Sequence, residues 1–522
     1  MRRLSLGVAV LLAAGVAAGP VGASGAVASA DPQAGDPAHL AAVTQPVVQL
    51  VQIELKATVS SPGFTVNVAA GNALDHEMWA KQNSGQLARD AQSLNRQEIV
   101  AKRRDPDRYF VPTATQVGTT TLTVTCSGWF ATPDGFLVTA AHCVQPDRAA
   151  LLKQLEPVAL ASFIAQDKAV SLHNFRDIPL DEGMRADLLG LSDDWYARHA
   201  QLTALEVKVS VHVAVPGEAG RRGDQVTKAE VVSAGEVFPG RDVALLKVDG
   251  FDDLPSLALG DDARLGVGDT LYIDGYPGAV QAAAQLSEAS RREPTFTQGP
   301  GSALRNTVNG VAYLQTQAPA YHGNSGGPVL DARGQVIGIL VAGVADPQTG
   351  QAVEGQEFVL QRDGVAQELA RHGVTAVSSR TTSDYAAALD DYERSYFSRA
   401  KAEFEKLREL HPRHPYAAWY VSLSAQQIEA GRDRTPGFPW LGVGMGLALV
   451  VIIGLLATVL LLLRRRPAPQ PEAAAVAAAA DEPAAEGSVA EGSVAEEPAA
   501  EEPAAEPADA PEAAEPAGPV SP

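Results

Sequence analysis

Residues 321–329 read YHGNSGGPV. In this run Gly323 lies two residues before Ser325, and Gly326 follows it directly. Glycine adopts positive φ angles without strain and lets the backbone come close to a bound group. The run therefore predicts a tight turn in which two backbone N–H groups can point at one position on a substrate. Residues 336–341 read as a strand that follows, and residues 331–334 read as the turn that leads into it.

Two further candidate residues lie upstream of this turn. The segments 126–132 and 136–139 read as the strands of a hairpin around a Pro-Asp-Gly turn, and His142 follows the second strand. Asp242 directly precedes a strongly apolar strand that spans residues 243–248. A lone histidine after a strand is usually structural, so the significance of His142 depends on the residues that accompany it.

Three motifs occur in one order along the chain: TAAHC at 139–143, DVALL at 242–246 and GNSGGP at 323–328. In this combination the sequence resembles the chymotrypsin-like serine proteases over roughly residues 40–375. The segments SGWFATPDGFLVTAAH (127–142) and PTFTQG (294–299) are most similar to the trypsin-like domain of HtrA-type proteases. The resemblance implies a mainly β fold, a chymotrypsin-like double β-barrel with helical insertions, and serine endopeptidase activity.

The resemblance also assigns roles to individual residues. Ser325 matches the nucleophile, His142 the general base and acid, and Asp242 the buried carboxylate that orients the imidazole. The backbone N–H groups of Gly323 and Ser325 match the oxyanion hole. The alternative is a non-catalytic or chaperone-like binding scaffold that keeps the fold. The presence of all three triad residues favours an enzyme, with protein or peptide substrates.

A primary specificity pocket is expected beside Ser325. In this family its floor lies six residues before the nucleophile, at Pro319 here. No carboxylate stands at that position, so a buried Lys or Arg would lack the counter-charge that offsets its desolvation. The sequence therefore predicts cleavage after small or medium aliphatic residues. The expected wall of the pocket is Ile339, Leu340, Val341 and Ala342.

The chain has two cysteines, which exclude a disulfide-dense scaffold. Cys126 and Cys143 match the disulfide beside the catalytic histidine in secreted relatives, and a free thiol pair is the alternative. No metal and no cofactor is predicted. The sequence His76-Glu77 begins a zinc-protease pattern, but Ala80 stands where the second histidine is required. His411 and His414 are expected to be surface residues at a helix end.

Both ends of the chain have the composition of membrane-targeting segments. Residues 1–30 combine a basic start, an apolar stretch and an Ala-Ser-Ala end, the pattern of a cleaved signal peptide, with an uncleaved anchor as the alternative. Residues 441–463 are free of charge and long enough to span a bilayer as one helix. Arg464–Arg466 follow, and clustered arginines stay cytoplasmic. The predicted protein is thus a single-pass protein of the cell membrane with an extracytoplasmic catalytic domain.

Charge is distributed unevenly over the 522 residues, whose formal net charge is −21. This excess of negative charge excludes a basic nucleic-acid-binding protein. Because 46% of the residues are hydrophobic, the chain cannot be disordered throughout. Residues 464–522 are rich in Ala, Pro and Glu and contain no aromatic residue, so they are predicted to be a disordered cytoplasmic tail. The tail is either a solvated spacer or a docking segment.

The predicted protease domain spans residues 31–377 and contains two insertions with helical periodicity, at about 75–105 and 146–203. We expect both insertions beside the cleft, where they cover it or recruit a protein partner. Residues 378–435 follow with helical periodicity throughout, and Ala400, Phe404 and Pro412 have the spacing of one tetratricopeptide repeat. This segment is either a helical neck or a partner-binding module.

Overall fold

Two closed barrels of six antiparallel strands form the body of the protein in the computed structural model, which describes residues 36–261, 266–345, 352–437 and 440–464. The predicted signal peptide and the tail beyond Arg464 lie outside the described residues. The strands are β1 (Val48–Val66), β2 (Phe110–Phe130), β3 (Phe136–Thr139), β4 (Gln201–Pro216), β5 (Arg222–Ala234), β6 (Ala244–Val248), β7 (Thr270–Gly275), β8 (Thr295–Asn306), β9 (Ala312–Thr316), β10 (Pro328–Leu330), β11 (Val336–Ala345) and β12 (Ala352–Gln361).

The first barrel has the strand order β1-β2-β3-β6-β5-β4, and the second has the order β10-β11-β12-β9-β8-β7. The short strands β3 and β6 are almost wholly buried, as their continuous runs of Leu, Val and Ala predict. Trp129 and Phe130 fill the core that these strands share. The prediction of a mainly β, double-barrel fold with helical additions is therefore confirmed.

The helices lie between and after the strands. They are α1 (Pro37–Thr44), α2 (Val68–Asn83), α3 (Ala91–Arg104), α4 (Pro106–Tyr109), α5 (Ala141–Val144), α6 (Arg148–Ala159), α7 (Ala161–Asn174), α8 (Glu182–His199), a 3-10 turn (Glu218–Gly220), α9 (Gly278–Ala282), α10 (Glu288–Arg291), α11 (Arg362–Arg371), α12 (Arg380–Glu393), α13 (Phe397–Leu410), α14 (Ala417–Glu429) and α15 (Trp440–Arg464).

Helices α2–α4 are inserted between β1 and β2, and helices α6–α8 between α5 and β4. The two insertions pack on each other, because Arg103 of α3 donates to Asp187 at 2.6 Å and to Asp194 at 2.8 Å, both on α8. Phe64 of β1 packs its ring against Trp195 of α8. The insertions are thus joined to the long β1–β2 hairpin.

Helices α12–α14 pack against the barrels rather than standing apart from them. The guanidinium of Arg222, at the start of β5, is fully buried and donates to the carbonyls of Gln45 and Val48. It also contacts the hydroxyls of Tyr276 in the second barrel and Tyr416 next to α14. The buried guanidinium of Arg222 therefore joins both barrels to the helical segment. From the sequence alone, this segment is either a neck or a partner-binding module.

The expectation that His414 is a surface residue is wrong. Its side chain is 2% exposed and packs against the ring of Tyr385, with 4.3 Å between the ring centroids. Its Nδ1 accepts a hydrogen bond from the backbone N–H of Tyr416 at 3.3 Å.

Helix α15 belongs to a separate unit that begins at Phe438. Within it, Gly446–Arg464 has a mean hydropathy of 3.0, and none of this segment is buried against other parts of the protein. Its length and composition are those of a helix that can cross a bilayer.

Candidate active site

The catalytic histidine predicted from the sequence follows β3, a short and largely buried strand that pairs with the end of β2. Strand β3 ends at Thr139, and the single turn α5 begins two residues later and carries His142. Cys143, the next residue, is joined to Cys126 of β2 by a disulfide with 6.3 Å between the two Cα atoms. The imidazole is thus attached to a turn that is covalently tied to the barrel wall.

Asp242 lies just before β6 and holds this imidazole. One carboxylate oxygen is 2.9 Å from Nδ1 of His142, and the other accepts the backbone N–H of His142 at 2.9 Å. The side chain of Asp242 is 1% exposed, and it also accepts the N–H of Phe238 at 3.1 Å. An ionised carboxylate against Nδ1 favours the tautomer with hydrogen on Nδ1 and a free lone pair on Nε2.

Ser325 lies in the glycine-rich turn before β10, on the second barrel. Gly323 and Gly326 have φ angles of 102° and 84°, in the region that favours glycine. A Cβ atom on Gly323 would lie 2.4 Å from the carbonyl oxygen of Tyr276, so a side chain there would displace backbone. The hydroxyl of Ser325 donates to the carbonyl of Val341 at 3.2 Å.

Two backbone N–H groups beside Ser325 are available to a ligand. Within the described residues, neither the N–H of Gly323 nor that of Ser325 donates to a protein acceptor. The carbonyl of His322 accepts the N–H of Gly278 at 2.6 Å. Because the C=O and N–H of a trans peptide point in opposite directions, the N–H of Gly323 points away from Gly278. These are the two N–H groups that the sequence resemblance assigns to an oxyanion hole.

The three predicted catalytic residues share one cleft between the barrels, with a volume of about 770 Å³. In the part of the chain that the structure describes, no residue of the inserted helices lines it. The turn before α6 contributes two residues, Gln145 and Asp147. The expectation that the insertions flank the cleft is therefore met only by this turn. The residues that line the cleft include His142, Asp147, Phe238, Asp242, Tyr321, His322, Ser325, Leu340, Val341, Gly343 and Glu357.

The predicted specificity residues separate into four groups. Leu340 and Val341 line the cleft, as expected. Pro319 lines a neighbouring cavity of about 700 Å³ and is not among the residues that line the cleft of Ser325. Ile339 is fully buried. It lies on β11, opposite Pro328 of β10 and Leu360 of β12 in the second barrel. Ala342 follows in the backbone of β11, and its side chain lies outside the described part of the structure.

Glu357 on β12 is one of the polar cleft residues that sequence reasoning missed. Its side chain is 6% exposed, and burial raises the pKa of its carboxyl to about 7. The sequence signal is an acidic residue directly before the apolar run at 358–360. That signal does not indicate which face of β12 meets the cleft.

Among the described residues, two groups of side chains have the composition of a metal site. Cys126, His142 and Cys143 lie close together, but both sulfurs belong to the disulfide and cannot act as thiolate ligands. His39 lies beside Asp390 and Glu393, and its Nδ1 is 3.0 Å from the Glu393 carboxylate. That hydrogen bond raises the pKa of His39, so this second group is explained as an ion-pair contact between α1 and α12.

Comparisons with known proteins agree with this geometry. Residues 126–339 match the model of a trypsin-like peptidase domain. A probable periplasmic serine endoprotease, DegP-like, of Pseudomonas fluorescens is 38% identical over 104 residues, 19% of this chain and 19% of its own length. Serine protease HTR4 of Rattus norvegicus is 33% identical over 129 residues, 25% of this chain and 24% of that protein.

The chain spans about a quarter of the length of the first curated relatives that it matches. A solved HtrA-type protease, AlgW with a decapeptide, aligns with 65% of this chain and 68% of its own at 18% identity, with a TM-score of 0.32. Residues 126–339 of this chain thus match a trypsin-like peptidase domain, and HtrA and DegP serine proteases are among its homologues.

Proposed function

We propose that this protein is a serine endopeptidase that cleaves protein or peptide substrates through Ser325, His142 and Asp242. The observation that carries the proposal is the double contact of the buried Asp242 carboxylate with His142, in the same cleft as Ser325. A buried acid that fixes one imidazole tautomer leaves the other ring nitrogen free to accept a proton. Such a base is needed to turn a serine hydroxyl into a nucleophile.

Catalysis begins when Nε2 of His142 takes the proton of Ser325. In the structure the hydroxyl donates to Val341, so a rotation of the side chain must exchange this acceptor for Nε2. The Ser325 oxygen then attacks the scissile carbonyl, and the proton on His142 passes to the leaving amine. Water repeats the same steps on the resulting acyl-enzyme.

The negative oxygen that forms during attack is held by the backbone N–H groups of Gly323 and Ser325. Both groups are without a protein acceptor in the described residues, so they need no rearrangement to bind it. Removal of one such donor in a comparable hydrolase costs about 2.7–4 kcal/mol of transition-state stabilisation. These two groups therefore supply a substantial part of the proposed rate enhancement.

We place the catalytic unit outside the cytoplasm, anchored by α15. The apolar segment Gly446–Arg464 supports insertion in a bilayer, and the arginines at 464–466 support a cytoplasmic C-terminal end. A protease added to intact cells should digest residues 36–437 and spare an epitope placed after Arg466. Protection of the catalytic unit together with loss of the epitope would reverse this orientation.

The enzyme and the non-catalytic scaffold make opposite predictions for an unbiased peptide library. We expect the purified chain to cleave a subset of peptides, and we expect Ser325→Ala to cleave none while it keeps the same circular dichroism spectrum. Binding of peptides without cleavage by either protein would favour the scaffold. Equal cleavage by both proteins would mean that another residue, or a contaminant, performs the reaction.

A further inference from the structure

The most informative group outside the predicted triad is the Glu357 carboxylate. Strand β12 pairs with β11 so that Glu357 lies opposite Gly343, and both residues line the cleft that holds Ser325. A Cβ atom on Gly343 would lie 2.7 Å from one carboxylate oxygen and 3.2 Å from the other. The carboxylate therefore lies directly over Gly343, in space that a larger residue would occupy.

This buried carboxylate has no protein partner. In the described part of the chain, it forms no hydrogen bond and no ion pair, and desolvation alone accounts for its raised pKa of about 7. An unpaired buried carboxylate costs free energy and contributes nothing to the stability of the barrel. A ligand with a positive charge would remove that cost, which points to a role in binding.

The rest of the cleft favours the same kind of ligand. Among the described lining residues are the carboxylates of Asp147, Asp242 and Glu357, and no lysine or arginine. Asp242 is already engaged with His142, and Asp147 caps α6 through the N–H groups of Ala149 and Ala150. Glu357 is thus the acid that is left to a substrate.

Its position fits the side chain of the residue before the cleaved bond. The carbonyl of Val341 contacts the hydroxyl of Ser325, and Gly343 lies two residues further along β11. Two residues of a strand span at most about 6.6 Å, and β11 has a register shift between Leu340 and Ala342, so this span lies within the reach of a long unbranched side chain. A lysine or arginine whose carbonyl is at Ser325 can therefore place its charge near Glu357.

We propose that Glu357 determines the primary specificity by pairing with the ammonium or guanidinium of a Lys or Arg residue before the cleaved bond. This inference rests on the proposed peptidase function. It replaces the expectation of small aliphatic residues, which was drawn from Pro319. Pro319 lines the neighbouring cavity, so its lack of charge does not decide the matter.

The test uses the full chain and two peptides that differ only at the residue before the cleaved bond. One peptide has lysine, and the other has norleucine, which has a similar length and no charge. We expect kcat/KM to be higher for lysine, and we expect Glu357→Gln to lower the lysine-to-norleucine ratio about 10- to 100-fold. Asp147→Asn is the control, because it removes the same charge from the cleft and keeps a helix cap. Its lysine-to-norleucine ratio of kcat/KM should differ from that of the wild type less than threefold.

The pH dependence of the wild-type ratio tests the inference without a variant. Pairing requires ionised Glu357, so the ratio should rise as the pH passes upward through about 7. His142, His322, Tyr321, Asp147 and Asp242 also face the cleft, but changes in their charge that alter catalysis act on both peptides and largely cancel in the ratio.

The possible failures are distinguishable. Cleavage of the norleucine peptide without preference for lysine would overturn the role of Glu357 and leave the peptidase function intact. An unchanged lysine preference in folded Glu357→Gln would do the same. Cleavage of neither peptide, together with no cleavage in the unbiased library, would overturn both proposals.

Discussion

The carboxylate of Asp242 contacts His142 twice, at the ring nitrogen Nδ1 and at the backbone N–H, both at 2.9 Å. The first contact fixes the tautomer, and the second fixes the position of the turn that carries the ring. Asp242 is itself held, because the hydroxyl of Tyr313 donates to the carbonyl of Gly240 at 2.7 Å and lies 3.4 Å from the Asp242 N–H. The base is thus oriented through the loop before β6.

This double contact predicts the effect of Asp242→Asn. An amide can present its NH₂ group to the ring and then favours the wrong tautomer of His142, so kcat should fall by about 10⁴-fold. Steady-state cleavage of a library-derived peptide measures the change, with the exposed acid variant Asp363→Asn as the control. A loss of less than tenfold in a folded Asp242→Asn protein would mean that Asp242 does not orient the base.

The disulfide between Cys126 and Cys143 should stabilise the first barrel. It closes a loop with a sequence separation of 17, for which loop-closure entropy gives about 3 kcal/mol in the free energy of unfolding. Urea unfolding of residues 36–437 should therefore show about that loss for the double variant Cys126→Ser/Cys143→Ser. The double variant leaves no free thiol. Equal stability of the two proteins would show that the bond does not form in the isolated protein.

The buried His414 predicts that helices α12–α14 lose stability in acid. Burial lowers the pKa of its imidazole to about 3, and the nearby His411 acts in the same direction. The unfolded chain binds a proton near the ordinary value of about 6.5, so the stabilising contribution is present above about 6.5 and is lost as the pH falls toward 3.

The variant His414→Gln isolates this effect. It keeps an acceptor for the N–H of Tyr416 but does not titrate, so its unfolding free energy should fall less steeply than that of the wild type between pH 6.5 and 4. Urea unfolding at several pH values, followed through a fluorescent label on α14, gives both curves. Parallel curves would contradict a buried neutral His414.

The three candidate catalytic residues stand out in the sequence because each lies in a short motif that resembles the protease family, and each motif has a local structural reason. Gly323 and Gly326 require positive φ, and His142 and Asp242 stand at the ends of short apolar strands. Glu357 has no such neighbour. Its place in the cleft results from the pairing of β12 with β11, and a shift of one residue in a strand would turn its side chain to the opposite face.

The position of the helical segment α12–α14 could not be predicted for a similar reason. Its helical periodicity is visible in the sequence, but its attachment rests on contacts with distant residues, among them Arg222, about 190 residues upstream of Tyr416, and His39. His414 looks like a surface residue because its neighbours are polar and proline-rich. The structure buries it through contacts with Tyr385 that no local pattern reports.

Labelling with a fluorophosphonate is the most direct test of Ser325 as an activated nucleophile, because the probe reacts with the serine itself and does not depend on substrate choice. We expect one label per chain, mapped by mass spectrometry to the peptide that contains Ser325. We also expect no label on Ser325→Ala and greatly slowed labelling of His142→Ala. No label on the folded wild-type chain under conditions that label a control protease, or a label on a serine other than Ser325, would contradict the proposed active site.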